Sequence, residues 1–188
     1  MAKSRIAIIV GSNRRDSINR KLARALAKVG ADKFDASFIR IDDLPMFNQD
    51  LEGNLPEEAV RFKSEITNAD GVLIVTPEHD RSIPALLKNA VDWGARPYGK
   101  NSWAGKPGFI TGTSPGAIGS ALAQQHLRSV MVGLGIICWV ARRTSRSSRT
   151  SSTRTATSLM KAPGNFCRGF STGSFHWLCG SHSQTRIE

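Results

Sequence analysis

The sequence predicts an α/β fold with a buried, mostly parallel sheet. Two uninterrupted apolar runs, residues 6–10 and Gly71–Val75, show no polar alternation, which is typical of strands covered on both faces. After the first run, Leu22, Ala23 and Leu26 recur at helical spacing. Because strands and helices alternate along 188 residues, we expect one domain built around a single core.

The remaining elements follow from composition and periodicity. Residues 34–41 alternate loosely and predict a second strand, whereas residues 42–56, rich in proline and polar side chains, predict a loop. A helix is expected over residues 56–68, because acidic residues occupy its first turn and Lys63 comes later. Beyond it we expect a helix from about Pro84, a strand over Pro107–Thr111, a helix over residues 117–132 and a fifth strand from residue 135 to 138.

The turn after the first strand has the composition of a phosphate site. Gly11 permits a sharp exit, and a helix begins a few residues later, so that free amides and the helix dipole favour an anion. The turn matches neither GxGxxG nor GxxxxGK(S/T), which favours a phosphate ester held by hydroxyls and amides, as in flavin mononucleotide proteins. An ordinary strand-to-helix loop with capping serines is the alternative. The short polar side chains are Ser12, Asn13, Ser17 and Asn19.

Charge is unevenly spread along the chain. There are 26 Lys and Arg residues against 15 Asp and Glu, a net charge of +11. Much of the excess lies in residues 139–188, where eight basic residues face only Glu188. Such an excess suits a polyanion, but this segment lacks interleaved aromatic residues and an amphipathic stripe. Nucleic acid is therefore not the expected partner.

Cysteine usage and hydropathy predict the compartment. Cys138, Cys167 and Cys179 are odd in number and lack CxxC spacing, which argues against a disulfide framework or a zinc site. The first apolar run has strand length and no small-residue cleavage site follows it, so no signal peptide is expected. The longest apolar stretch, residues 130–141, is shorter than the roughly 20 residues that span a bilayer. We expect a cytoplasmic protein without a membrane span or a metal site.

Five segments of the chain, in order, carry a family resemblance. They are GSNRRDSIN from Gly11, DLPMFNQD from Asp43, TPEHDRSIPALLKNAVDW from Thr76, the RPY and GKP that follow, and SPGAIGSALAQQHLR from Ser114. Together they resemble the NAD(P)H-dependent FMN reductase family, in its bacterial branch of chromate or quinone reductases and azoreductases. The resemblance covers residues 4–137. It implies a flavodoxin-like three-layer sandwich with a five-stranded parallel sheet, and a homodimer or homotetramer.

The resemblance also implies which residues hold the cofactor. The first segment would enclose the FMN phosphate, the TPEHD segment would follow the flavin ring, and the SPG turn would lie on the other flank. No catalytic side chain and no metal ligand is assigned, because the flavin carries the chemistry. Arg15, Arg81 and Arg96 are expected to attract the nicotinamide donor or anionic acceptors. The implied cofactor residues are Ser12, Arg14, Ser17, Ile18, Asn19, Pro77, Glu78, His79, Asp80, Ser114 and Gly116.

Two positions depart from the family pattern in the ring segment. His79 stands where the family often has Tyr, and Asp80 stands where it usually has Asn. A carboxylate near the flavin ring would disfavour the anionic reduced flavin and lower its reduction potential, unless Arg81 or a proton neutralises it. We therefore expect Asp80 to influence the cofactor.

The implied function is an FMN-dependent oxidoreductase. It would use NADPH or NADH to reduce quinones, chromate, azo dyes or metal chelates by hydride transfer through the flavin. Two alternatives remain open. A non-enzymatic FMN electron carrier would keep the phosphate loop without consuming nicotinamide, although flavodoxins are usually strongly acidic and this body is mildly basic. A nucleic-acid-binding protein acting through the basic tail would lose salt-dependent binding on truncation at Cys138.

The resemblance stops at Cys138, so we expect a flavin domain over residues 1–138 and a tail over residues 139–188. The family would continue with a closing amphipathic helix, whereas this tail is rich in Arg, Ser and Thr, a composition typical of disorder. A basic arm that binds nucleic acid or anionic lipid is one interpretation. The interpretation we favour is a change of reading frame near codon 138.

Overall fold

Strands and helices alternate along the part of the chain that the computed structural model describes, which is residues 2–139 and 145–146. A short 3-10 helix, Gln49–Gly53, lies in the connection after the second strand. The strands are β1 Ser4–Val10, β2 Phe34–Ile39, β3 Gly71–Val75, β4 Pro107–Thr111, β5 Thr113–Ser114, β6 Ile137–Trp139 and β7 Ser145–Arg146. The α-helices are α1 Ile18–Val29, α2 Glu57–Asn68, α3 Ala85–Ala95 and α4 Ala121–Gly133.

Five parallel strands form the central sheet in the order β2-β1-β3-β4-β6. This order confirms the predicted flavodoxin-like sheet. The chain moves from β1 outward to β2, and then crosses back to place β3 on the other side of β1. The strand order thus reverses between β1 and β3. Ligands of open α/β sheets bind outside the carboxyl ends of strands at such a reversal.

Apolar side chains cover both faces of the sheet, which confirms the three-layer arrangement. On one face, α1 packs Leu22, Ala23 and Leu26 against residues of β1, β3 and β4. On the other face, residues of α2, α3 and α4 pack against the alternate positions of the same strands. The neighbours Ile8 and Ile9 point to opposite faces and are both fully buried, at 0% exposure. This double burial explains why the strand sequences show no polar alternation.

Several predicted element boundaries are wrong, and two of them show why. β2 ends at Ile39 rather than at residue 41, because its pairing with β1 ends where Ile9 meets Ile39. α4 begins at Ala121 rather than at residue 117. The intervening residues form a turn in which Gly119 N donates to Gly116 O at 3.2 Å, and Gly119 has a φ of 68°. A left-handed φ is incompatible with a continuous right-handed helix.

The predicted loop over residues 42–56 lies against α3 through a buried amide. Asn89 is 6% exposed; its Oδ1 accepts the backbone N–H of Phe47 at 2.7 Å, and its Nδ2 donates to Pro45 O at 2.9 Å. Trp93 Nε1 donates to the same carbonyl at 2.7 Å. The long connection is therefore fixed by side chains of α3.

A second, two-stranded sheet involves the predicted tail. Ser145 and Arg146 of β7 pair in parallel with Thr113 and Ser114 of β5. The expectation of a segment without regular structure is therefore wrong for these two residues. Composition did not reveal the pairing because strand hydrogen bonds join backbone groups, whatever the side chains. The rest of the predicted tail, apart from Trp139, lies outside the described residues.

Candidate functional site

Three loops meet at the carboxyl edge of the sheet. We call them the β1 loop (residues 11–17), the β3 loop (residues 76–84) and the β4 loop (residues 112–120). Backbone hydrogen bonds join the first residue of a loop to the last residue of the neighbouring strand: Gly11 N donates to Val75 O at 2.9 Å, and Thr76 N donates to Thr111 O at 2.9 Å. All the predicted cofactor residues lie in these loops or in the first turn of α1, so the structure brings them to one edge.

The β1 loop presents cations and hydroxyls beside the N-terminus of α1. Ser17 caps the helix, its Oγ accepting the backbone N–H of Arg20 at 3.3 Å. Arg14 and Arg15 are exposed, and no acidic side chain occupies the first turn of α1. Arg20 Nη2 donates to the carbonyl oxygen of Ser12 at 3.3 Å, which brings a third guanidinium to the loop. Amides, hydroxyls and guanidinium groups are the donors that a phosphate ester requires.

Asn19 lies buried beneath the β1 loop and joins it to the β4 loop. Its side-chain amide makes two hydrogen bonds with the backbone of Thr113: Nδ2 donates to the carbonyl oxygen at 3.0 Å, and Oδ1 accepts the N–H at 2.9 Å. Asn19 is 1% exposed, whereas the neighbouring Ile18 is half-buried. The amide thus acts between two protein loops, although the resemblance implied a contact with the cofactor.

The β3 loop is held by the side chain of Glu78. Its Oε2 accepts the backbone N–H groups of Leu122 and Ala123, at 3.0 and 3.3 Å, in the first turn of α4. Its Oε1 pairs with Arg81 Nη1 at 3.3 Å. Immediately before it, Thr76 Oγ1 donates to the carbonyl oxygen of Pro77 at 2.8 Å. The backbone of Pro77 and Glu78 is therefore fixed from both sides.

A tight reversal follows at residues 79–82. His79 and Ser82 exchange backbone hydrogen bonds, at 3.0 and 2.8 Å. Asp80 and Arg81 between them have φ values of 47° and 64°. Two consecutive left-handed residues are what a type I′ turn requires, and Asp tolerates this conformation better than most residues do. His126 Nδ1 lies 3.1 Å from Ser82 Oγ, which ties the turn to α4.

The left-handed turn explains why Asp80 can stand where the family usually has Asn. Position 80 needs a residue that accepts a positive φ, and both Asn and Asp do so. The Arg81 guanidinium pairs with Glu78, at 3.3 Å. Asp80 and His79 are both exposed. The carboxylate of Asp80 is thus available to act on a ligand bound at this edge.

The β4 loop forms the third side of the site. Ser114 Oγ accepts the backbone N–H of Gly116 at 3.2 Å, which fixes the predicted SPG turn. Gly116 is exposed, and a Cβ there would meet only Ser114 Oγ, at 3.5 Å. At Gly112, in contrast, a Cβ would overlap the backbone oxygen of Thr76 and the hydroxyl of Ser120. Glycine at position 112 therefore lets the β3 and β4 loops approach closely.

Arg96 does not belong with the other predicted residues. It follows the last residue of α3, whose N-terminus adjoins the β3 loop, and the helix separates the two ends by about 16 Å at 1.5 Å per residue. Its Nε pairs with Glu52 Oε1 at 2.6 Å. Its charge is therefore compensated at the far end of α3, and the role of Arg96 in attracting donor or acceptor stays a prediction.

Several contacts and burial states of the site carry no sequence signal. Thr76 is fully buried, at 0% exposure, and His126 and Ser82 meet across 44 positions of sequence. The close approach at Gly112 depends on Thr76 and Ser120, which come next to it only after folding. These contacts depend on loops that converge from distant parts of the chain, and local spacing does not report them.

The donor set of the three loops fits a flavin mononucleotide. The β1 loop supplies cations and hydroxyls for a dianionic phosphate. The carboxylate of Glu78 is turned onto α4 and its side chain is 9% exposed, so it does not oppose that anion. Ser12, Arg14 and Ser17 would hold the phosphate, and the backbone of Pro77 and Glu78 offers amide and carbonyl groups to a planar ring.

Other reactive groups lie apart from this edge. Among the described residues, no group of three His, Cys, Asp or Glu side chains is placed to hold a metal ion. Cys138 on β6 is half-buried; its burial raises the pKa of the thiol, and Arg128 opposes this shift only partly. A thiol with a raised pKa is a poor nucleophile.

Among the residues that the structure describes, no helix has the length and apolar character needed to cross a membrane.

Comparisons with known proteins point to one family. The family model described as NADPH-dependent FMN reductase matches residues 4–144. A 2-hydroxy-1,4-benzoquinone reductase of Burkholderia sp is 53% identical over 133 residues, which cover 71% of this chain and 73% of that protein. FerB, a flavoenzyme NAD(P)H:(acceptor) oxidoreductase of Paracoccus denitrificans, superposes with a TM-score of 0.81 and 37% identity, covering 89% of this chain and 95% of that one. A flavodoxin of Pseudomonas aeruginosa shares the fold, with a TM-score of 0.58 and 20% identity over 88% of this chain and 98% of that one.

Proposed function

The chain belongs to the NADPH-dependent FMN reductase family, and from this membership we propose that it binds FMN across the three loops and uses NADPH or NADH to reduce quinones. The observation that carries the proposal is the β1 loop at the reversal of strand order. There, the exposed Arg14 and Arg15, followed by Asp16, precede a capped helix whose first turn has no acidic residue, and Arg20 donates to the carbonyl oxygen of Ser12. An anionic group of the size of a phosphate ester is the ligand that such a terminus favours.

In this proposal the protein binds and orients while the cofactor reacts. FMN, when bound, accepts a hydride from the nicotinamide and passes the electrons to an acceptor. Ser12, Arg14 and Ser17 hold the phosphate, and the backbone of Pro77 and Glu78 lies along the ring. Ser114 and Gly116 flank the ring from the β4 loop, and His79 and Asp80 stand exposed at its edge.

The electron acceptors are proposed from the name of a relative and from the positive charge of exposed arginines. The Burkholderia relative is named for a benzoquinone, so a quinone is the acceptor we propose first. Chromate, azo dyes and metal chelates are further candidates, because exposed Arg15 and Arg81 attract anions. Arg81 contributes less net charge than the sequence suggests, since it pairs with Glu78.

The proposal extends to assembly and compartment. We propose a homodimer or homotetramer, on the family resemblance, and a cytoplasmic location, on the odd number of cysteines without CxxC spacing.

We also retain residues 1–138 as the flavin domain and residues 139–188 as the product of a changed reading frame. The 133-residue match leaves both this chain and its Burkholderia relative longer than the shared segment. Resequencing the gene and translating the neighbouring frame tests this, and the absence of a closing helix from every frame would contradict it.

Anaerobic reduction tests the proposed function directly. The purified full chain is reconstituted with FMN, and NADPH or NADH is added while the absorbance of oxidised flavin is followed. We expect the absorbance to bleach and to recover when a benzoquinone is admitted. Binding of FMN without bleaching would indicate an electron carrier instead. A protein that folds but binds no FMN would overturn the proposal altogether.

A further inference from the structure

α4 lacks an N-terminal cap from its own segment. Ser120 stands at the capping position, but its side chain makes no capping hydrogen bond. Its Oγ instead accepts the side-chain amide of Gln124 at 3.0 Å. The first N–H groups of a helix have no partner within the helix and require one elsewhere. A residue from another loop supplies it here.

That residue is Glu78, 44 positions earlier in the chain. One oxygen of its carboxylate accepts two consecutive N–H groups, of Leu122 and Ala123. A negative charge at a helix N-terminus is favoured by the helix dipole, and hydrogen bonds to an ionised acceptor are stronger than neutral ones. Because the side chain is 9% exposed, solvent screens the contact little. The link between the β3 loop and α4 is therefore firm.

The position of this link relates it to the proposed site. Glu78 follows Pro77, whose carbonyl is held by Thr76, and it precedes the left-handed turn. Leu122 and Ala123 follow the β4 loop directly. A carboxylate that bridges the β3 loop and the start of α4 sets the separation of the two loops between which the flavin ring is proposed to lie.

We propose that Glu78 is a positioning residue for the flavin ring: its carboxylate caps α4 and thereby fixes the separation of the β3 and β4 loops. The inference rests on the proposed function. The family resemblance implied only that Glu78 is near the flavin. Here the side chain acts on α4, and the ring is affected through the backbone.

The experiment compares FMN with riboflavin, which lacks the phosphate. Affinities are measured by quenching of flavin fluorescence for the wild type, Glu78→Gln, Glu78→Ala and Arg14→Gln. Glu78→Gln keeps the shape of the side chain and removes the charge. We expect it to weaken FMN and riboflavin by the same factor, about tenfold, with a larger loss for Glu78→Ala. Arg14→Gln should weaken FMN but leave riboflavin unchanged.

A matched control separates positioning from helix stability. Glu57 is an exposed carboxylate in the first turn of α2, so Glu57→Gln also removes a charge at a helix N-terminus but lies outside the three loops. It should leave both affinities unchanged. The rate of amide hydrogen exchange at Leu122 and Ala123 measures whether the cap is present. This rate should increase in Glu78→Gln but not in Glu57→Gln.

Each outcome decides between the two proposals. If the wild type binds FMN and Glu78→Gln binds riboflavin as tightly as the wild type does, the positioning role is overturned, whereas the FMN binding that the proposed function requires is confirmed. If Glu78→Gln loses affinity for FMN but not for riboflavin, the effect lies at the phosphate, and this result would also overturn the positioning role. If the wild type binds neither flavin, the proposed function fails, even where amide exchange confirms the cap.

Discussion

The β1 loop and the β3 loop face the same site but are held in different ways. In the β1 loop, the four side chains from Asn13 to Asp16 are all exposed, and hydrogen bonds at the start and the end of the loop hold the turn, among them the cap at Ser17 and the contact of Arg20 with Ser12. The β3 loop is held by its own side chains, through Glu78 on α4 and the contact of Ser82 with His126.

The difference separates residues that contact the ligand from residues that determine the shape of the site. An exposed cation contributes little to folding, because water already solvates it, but it can still contact an incoming anion. A side chain that joins two loops contributes mainly to the shape of the site, and its loss reaches the ligand indirectly. Substitutions in the β1 loop should therefore change ligand affinity at constant stability. Substitutions of the joining residues should change both.

The largest effect is expected from Asn19→Ala, which removes the buried hydrogen bonds between α1 and the β4 loop. The change removes two hydrogen bonds with the Thr113 backbone at a position that is 1% exposed. We expect the free energy of unfolding to fall by about 3 kcal/mol, since buried hydrogen bonds lost on one side are costly. FMN affinity should fall as well. Urea denaturation of the apo-protein measures the first effect, with the exposed Asn13→Ala as its control.

A smaller and purely functional effect is expected from Arg14→Gln in the β1 loop. Arg14 is exposed, so the free energy of unfolding should stay within about 0.5 kcal/mol of the wild-type value. FMN affinity should fall about tenfold, because a charge-assisted contact with a phosphate is worth about 1.5 kcal/mol or more. Fluorescence titration at several salt concentrations is the measurement. The exposed Arg24 on α1 supplies the control Arg24→Gln, and an equal loss in that variant would attribute the effect to overall charge.

The smallest effect is expected from Asp80→Asn in the β3 loop. Asn accepts the left-handed φ of 47° as readily as Asp, so the turn should persist while the charge is removed. Both the reduction potential and the affinity of bound FMN should rise, the affinity by about 0.5–1 kcal/mol for an exposed charge near the ring. Spectroelectrochemical titration measures the potential. If neither quantity changes, the charge of Asp80 has no bearing on the flavin.

Much of the architecture was predictable because it depends on local sequence. The uninterrupted apolar runs identified β1 and β3 as buried parallel strands, and helical spacing identified α1. The composition of the β1 loop, with its serines and arginines before a helix, indicated an anion site. In each case the signal lies within a window of about ten residues, where the periods of strand and helix are visible.

The start of α4 and the ion pair of Arg96 were not predictable in this way. The turn in which Gly119 has a φ of 68° delays the start of α4 to Ala121, and Glu78 caps the helix from another loop. Arg96 pairs with Glu52 at the end of α3. Asn19 was identified as a site residue, but its partner, the backbone of Thr113, lies 94 positions away.

The sequence by itself determined the α/β class, the order of the elements, the family and the three segments that form the site. Only the tertiary structure decided which polar side chains join loops and which remain exposed to a ligand. Burial and hydrogen-bond partners depend on segments that meet after folding, and the same residue type serves either purpose. Arg14 remains exposed beside a helix N-terminus, whereas Arg96 pairs with Glu52. The charges of these two arginines are identical, and whether each is paired depends on the surroundings that folding creates.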